Sequence, residues 1–178
     1  MTTNIRAGII TASDRAWRGE REDRSGPLLK SLLEEISIEV IAYRVLPDEL
    51  EELKKILCHL VDRFSCDLIF TTGGTGLGPR DNTPEATREV IAKEIPGIPQ
   101  ALLEAGLKKT KFAMLSRAVA GVRGKTLIIN LPGNPDAVRE AFETLKPVLP
   151  HAVELVRGEV IDCRKPPYSL SHSSHSHS

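Results

Sequence analysis

Two aspartates and a run of glycines have the most chemistry to offer in this chain. Asp48 lies in Leu46-Pro47-Asp48-Glu49, after an Ile/Val-rich segment, and Asp81 ends the stretch Gly73-Gly74-Thr75-Gly76-Leu77-Gly78-Pro79-Arg80-Asp81. Four glycines in six residues let backbone N–H groups turn toward an anion with no side chain in the way, which suits phosphate oxygens. Two carboxylates beside a triphosphate are what Mg²⁺ needs, because it takes oxygen ligands and is usually held by one or two carboxylates plus phosphates. Each feature also has a plainer reading. The glycines fit a turn needing positive φ, Asp48 fits a helix N-cap contributing about 1 kcal/mol, and Asp81 fits a turn closed with Thr83 before Pro84. Their common position after strands is what argues for a site.

Neighbouring residues narrow the chemistry. The glycine run is not a P-loop, since Pro79-Arg80 follows Gly78 where Lys and Ser/Thr belong, and Pro79 also spoils a G-x-G-x-x-G reading. Gly124-Lys125-Thr126 resembles the end of a P-loop but precedes a strand and lacks the earlier glycine, so Lys125 reads as a turn or rim charge. Arg80, Arg117 and Arg123 are cations able to balance an anionic ligand, or solvated surface charges. Trp17, the single tryptophan, either shelters the site or anchors its charged loop.

The elements that must carry these residues alternate between strand and helix. Ile5–Ala12 reads as a strand ended by Ser13-Asp14, and Asp14–Arg24 as a charged loop. Ser25-Gly26-Pro27 opens a helix running to about Glu35, with Pro27 in the first turn. Ile38–Leu46 is a second strand. Leu50, Leu53, Ile56, Leu57, Leu60, Val61 and Phe64 form one helical stripe, with Asp48 at its N-cap and Glu51 three places on. Asp67–Thr72 is a third strand, Thr83–Lys93 and Pro99–Leu107 are helical, and an irregular strand is assigned near Phe112–Leu115. Thr126–Leu131 is a strand, and a last helical region spans about Pro135–Arg157, broken at Pro147 or Pro150. Continuous apolar strand centres between helices predict an α/β fold: one domain over residues 1–163, three layers (α/β/α), around a mostly parallel sheet.

In such sheets ligands bind beyond the carboxyl ends of the strands, at a topological switch point. The loops expected there hold Ser13-Asp14, Pro47-Asp48-Glu49, the glycine run, and Pro132-Gly133-Asn134-Pro135. Residues 164–178 turn to Pro-, then Ser- and His-rich composition and read as a solvated, disordered tail. The 178 residues suit one domain. With 24 basic and 24 acidic side chains the chain is neutral, which argues against a sequence-blind nucleic-acid binder. Neither the start nor any later apolar run suggests a signal peptide or membrane span. Cys58, Cys66 and Cys163 form no C-x-x-C pair and fit a reducing cytoplasm, the first two as small core residues.

Several of these segments, in this order, resemble the MogA family of molybdenum-cofactor enzymes and the G domain of gephyrin. They are Thr71-Thr72-Gly73-Gly74-Thr75-Gly76, Pro79-Arg80-Asp81 with Thr83-Pro84-Glu85-Ala86-Thr87, Leu46-Pro47-Asp48-Glu49, Met114-Leu115-Ser116-Arg117, Asp23-Arg24-Ser25-Gly26 and Gly121 through Gly133. The likeness runs from about Ile5 to Gly158. Asn82 departs from it, the family more often having valine there. MoaB proteins share much of the pattern.

The resemblance implies a trimeric, cytoplasmic molybdopterin adenylyltransferase that uses Mg-ATP and molybdopterin as substrates and releases pyrophosphate. It implies that Asp48 and Asp81 are the essential acids, orienting Mg²⁺ through the nucleotide, and that Gly73, Gly74, Thr75 and Gly76 hold phosphate by their N–H groups. Ser13, Asp14, Ser116, Arg117, Pro132, Gly133 and Asn134 are expected to contact pterin or nucleotide. The downstream molybdate-insertion protein is the expected partner. A pterin-binding module or MoaB-type relative without adenylyl transfer is the alternative, and a gephyrin-like scaffold role a further rival.

Overall fold

The computed structural model describes residues 4–159; Cys163 and the 164–178 stretch lie outside the described residues. Six strands form one sheet: β1 (Ile5–Ala12), β2 (Ile38–Leu46), β3 (Leu68–Thr72), β4 (Lys93–Glu94), β5 (Ala120–Arg123) and β6 (Thr126–Leu131). The helices are α1 (Asp14–Trp17), α2 (Ser25–Glu35), α3 (Leu50–Asp62), α4 (Thr83–Val90), α5 (Gly97–Leu107), α6 (Pro135–Leu145) and α7 (Leu149–Arg157). The strand order is β2-β1-β3-β6-β5-β4. β2, β1, β3 and β6 run parallel, and β5 and β4 continue the sheet antiparallel. Among the described residues no helix is long and apolar enough to cross a membrane.

The central strands are apolar on both faces because both are covered. Ile9, Phe70 and Ile129 belong to a core completed by Leu29 and Leu33 of α2, Val138 and Phe142 of α6, and Leu149 and Val153 of α7. Ile10, Ile69 and Ile128, their sequence neighbours, belong to a second core with Leu53, Leu57 and Leu60 of α3 and Ala86 and Val90 of α4. Alternate strand residues point to opposite faces, so one run of isoleucines feeds both layers. Cys66 is buried in the second core and Cys58 packs partly against it.

Four readings need correction. Asp14–Trp17 forms a short helix rather than loop, because the Ser13 hydroxyl accepts from Ala16 N–H and caps it. Asp48 is not the cap of α3: Glu49 holds that position, with no side-chain capping bond. The segment predicted as an irregular strand is a 3-10 helix, Lys111–Leu115, capped by Thr110; no neighbouring strand offers it a ladder. The helix expected to reach Lys93 stops at Val90, after which β4 pairs with β5, a strand the sequence reading left unassigned. Gly124-Lys125 is the tight turn between β5 and β6, with Gly124 at φ 58°.

Candidate active site

β1 lies between β2 and β3, so successive connections leave it in opposite directions and a crevice opens beyond the strand ends. A cleft of about 1030 Å³ occupies that place. Ser13 and Asp14 enter it from the end of β1, Asp48 from β2, Gly73, Gly74 and Asp81 from the loop after β3, and Gly133 and Asn134 from β6. The structure thus brings together eight of the thirteen residues singled out above. Thr75, Gly76, Ser116, Arg117 and Pro132 do not line this cleft.

The last group works from behind. Arg117 donates from Nε to Gly76 O at 2.8 Å and from a terminal nitrogen to Asp81 O at 2.8 Å, and it pairs with Glu85. Its backbone N–H donates to Thr75 O at 2.9 Å. These bonds clamp the glycine loop in shape. Ser116 accepts from Ala118 N–H through its hydroxyl.

The loop itself needs glycine in two ways. Gly73 and Gly74 hold φ of 84° and 69°, where other residues are strained. Gly76 and Gly78 sit against the second acid: a side-chain carbon at either would stand 2.9 Å from Asp81 Oδ2. Asp81 Oδ2 accepts from Gly78 N–H at 2.8 Å, and Asp81 N–H returns to Gly78 O at 3.0 Å. Gly73 N–H is committed to Leu131 O at 3.2 Å. Gly74, Thr75 and Gly76 N–H have no protein acceptor among the described residues. Of these three Gly74 lines the cleft, so its amide is the one placed for an anion there.

Asp14 and Asp48 are joined reciprocally. Asp48 Oδ2 accepts from Asp14 N–H at 3.1 Å, and Asp14 Oδ1 accepts from Asp48 N–H at 3.0 Å. Arg80 strides across the rim, pairing with Asp14 at 2.6 Å and Glu49 at 2.7 Å. Its hydrogen bonds hold the Asp14 carboxyl below its usual range. Asp48 goes the other way. Burial raises its pKa, and the charges of Asp14 and Asp81 add to that, against the opposing Asp14 N–H and Arg80. An acid left uncompensated beside a second acid in a cleft is a mark of a functional site.

The three arginines singled out from sequence are all engaged: Arg80 and Arg117 as described, and Arg123 with Asp62 and Val90 O. The cations lining the cleft are instead Arg15, Arg21 and Arg24, with no ion-pair partner among the described residues. Asp23 and Ser25, at the start of α2, line it too. Asp23 accepts from Ser25 and Gly26 N–H at 3.2 Å, and Ser25 Oγ donates to Gly133 O at 2.6 Å. Asp23-Arg24-Ser25-Gly26 was the available signal for them. Trp17 is exposed and outside the lining.

The donors suit a hard cation. Asp48 and Asp81 offer only oxygen, and Asp48 Oδ1 is buried with no hydrogen-bond partner. Two carboxylates are too few for an all-protein metal cage, which fits a metal shared with substrate phosphates.

The molecule is thus an open α/β protein whose ligand crevice, lined by acids, glycines and arginines, opens at the switch point of its sheet. Residues 8–151 match the family described as a probable molybdopterin-binding domain, and the chain belongs to it. A molybdopterin adenylyltransferase of Helicobacter pylori is 42% identical over 86% of this chain and 89% of its own. Drosophila melanogaster cinnamon, a molybdenum cofactor synthesis protein, is 42% identical over 91% of this chain, which spans only 27% of that protein. The solved structure of the molybdopterin biosynthesis enzyme MoaB from Thermus thermophilus superposes with a TM-score of 0.82 at 52% identity, covering 86% of this chain and 97% of that one.

Proposed function

We propose that this chain is a molybdopterin adenylyltransferase acting in molybdenum cofactor biosynthesis. The terminal phosphate of molybdopterin attacks the α-phosphorus of ATP; the new P–O bond joins the AMP unit to the pterin, and the bond to pyrophosphate breaks. The observation that carries this is the convergence of Asp48 and Asp81, from separate loops, on one cleft beside Gly74. The Helicobacter relative named for this activity, aligned over most of both chains, supports it.

In this reading the protein positions and neutralises rather than reacts. The Gly74 N–H, the uncommitted loop amide that lines the cleft, holds a phosphate oxygen, and Arg15, Arg21 and Arg24 balance the charge of the two anionic substrates. Asp48 and Asp81 would hold Mg²⁺ with the nucleotide, and the ion would supply charge neutralisation at the triphosphate. The attacking phosphate is already ionised at neutral pH, so no general base is required. Ser13 and Asn134 cap α1 and α6 with their side chains and thereby shape the cleft walls for pterin or adenosine.

Incubation with molybdopterin and Mg-ATP, followed by mass analysis, tests the reading: adenylylated pterin and pyrophosphate are expected, and their absence would overturn it. The likeness to MoaB favours one rival, a pterin-binding relative without adenylyl transfer. That protein would bind molybdopterin and release no pyrophosphate.

The domain is proposed to span 1–163 and to act in the cytoplasm as a homotrimer, handing its product to the molybdate-insertion protein. An exposed apolar surface supports self-association: α5 has no buried residue, and Leu103, Leu107, Phe112, Met114 and Leu115 stand in solvent beside one another in sequence. Sedimentation equilibrium should give three copies.

A further inference from the structure

Asp23 lines the cleft, yet its carboxylate is engaged within the protein. Oδ1 accepts from the N–H groups of Ser25 and Gly26, both at 3.2 Å, and Oδ2 accepts from the Tyr43 hydroxyl of β2. Arg24 stands at the N-cap of α2 without a side-chain capping bond, so Asp23, one residue earlier, satisfies the first amides of that helix instead. Three donors already meet its two oxygens, whereas Asp48 keeps one oxygen buried and free. Asp23 is built as an anchor and not as a further ligand for a metal.

The anchor point is rigid. Tyr43 packs against the core that α2 covers. Burial, and then the Asp23 charge, hold its phenol pKa above the usual range, so it stays protonated and donates. Glycine permits the meeting: a side-chain carbon at Gly26 would collide with the Tyr43 ring and stand 2.5 Å from Asp23 Oδ2 and 2.9 Å from Thr11 Oγ1. Thr11 is buried in β1 and accepts from Thr72 Oγ1 of β3 at 3.0 Å, so the floor beneath is tied across the sheet. What hangs from the anchor is not rigidly held otherwise. Among the described residues no backbone hydrogen bond is made by Arg21, Glu22 or Asp23. Ahead of Ser25, whose hydroxyl reaches Gly133 O, the Asp23 side chain is therefore what ties this stretch to the sheet. Arg21 and Arg24, on either side of it, line the cleft.

We infer that Tyr43 is a positioning residue: through Asp23 it latches the Arg21–Arg24 stretch to β2 and thereby sets where Arg21 and Arg24 meet an anionic ligand. A long arginine side chain gains from a charged partner only what remains after its own freedom is lost, so a fixed backbone beneath it raises the affinity it can contribute. The hydroxyl acts from outside the cleft, on binding rather than on the reacting atoms. The inference rests on the arginines facing the substrates as proposed above, and it assigns no group transfer to Tyr43 or Asp23.

Tyr43→Phe removes the hydroxyl and keeps the ring in the core. In the full chain, calorimetry with ATP alone in EDTA, and separately with molybdopterin alone, first shows which affinity the double variant Arg21→Ala/Arg24→Ala lowers. Tyr43→Phe should lower that same affinity about tenfold, the scale of a lost hydrogen bond to a charged group, with kcat for pyrophosphate release at saturation within about twofold of wild type. In the arginine-less background Tyr43→Phe should change the affinity little, because the groups it positions are gone. A urea-unfolding cycle reads the latch itself: Tyr43→Phe should destabilise the wild-type background and have little effect on Asp23→Ala, with Asp23→Asn standing in should the alanine variant not fold. Additive effects in either cycle, an arginine variant that binds both ligands like wild type, or unchanged affinity in Tyr43→Phe would each overturn the inference. If wild-type protein binds the ligands but makes no pyrophosphate, the adenylyl-transfer reading fails, while the binding and unfolding cycles still decide whether Tyr43 acts through Asp23.

Discussion

At the amino end of β3, Asp67 accepts from Arg6 N–H at 2.9 Å and takes both Arg157 Nε at 2.9 Å and a terminal nitrogen at 2.7 Å. At the carboxyl end of β2, Asp48 accepts one bond, from Asp14 N–H, and has a buried oxygen with no partner. No cation pairs with it among the described residues. Both are aspartates beside the same sheet, yet one is saturated and the other left short. Burial is affordable for a carboxylate that serves the fold only when it is paired. A carboxylate meant for a ligand has to keep capacity in reserve, and the raised pKa of Asp48 records that shortfall.

The sharpest way to break the comparison is to neutralise each acid in turn. Asp48→Asn and Asp81→Asn should fold with wild-type stability and slow pyrophosphate release roughly a hundredfold or more, the scale of losing metal-linked charge stabilisation. Wild-type turnover in either variant would remove the functional half of the contrast. Asp67→Ala or Arg157→Ala should do the reverse. Each should cost about 3 kcal/mol in urea unfolding, as for breaking a buried pair, with transfer rates at low temperature within about twofold of wild type.

Gly74→Ala sits between the two. The left-handed backbone and the collision with Thr83 should cost about 1–3 kcal/mol, and the displaced loop should also lower activity, read by thermal melting beside an assay. A smaller effect concerns Cys66, which burial pushes up to about 11 from its usual 9.0. The folded state keeps this thiol protonated where the unfolded chain ionises it. Stability should therefore be fully present below pH 9 and decline as pH rises toward 11, a slope that Cys66→Ala should flatten. Cys58, only partly buried, should react with thiol reagents in the native protein before Cys66 does, as peptide mapping would show.

Much of the frame was legible in the chain. β1, β2 and β6 fall where apolar runs end in turn residues, and the break between α6 and α7 falls at Pro147, because these signals are local. β4 and β5 were not legible: a two-residue strand and an Ala-Gly-Val-Arg strand carry no pattern until β6 supplies a partner. The arginines misled for a related reason. Sequence shows that a cation exists but not which carboxylate reaches it first, so Arg80, Arg117 and Arg123 looked available and are engaged. Arg15, Arg21 and Arg24 were hidden inside a segment read as a charged loop.

The order of strands and helices, the apolar residues that cover both sheet faces, and the kinds of side chain placed after each strand follow from the sequence, since periodicity and turn chemistry act over a few neighbours. That Asp48 is an unsatisfied acid rather than a helix cap is a consequence of packing. It depends on Asp14, Asp48 and Gly74, at least 26 residues apart along the chain, meeting at one crevice, and only the folded sheet, with β1 at its switch point, brings them there.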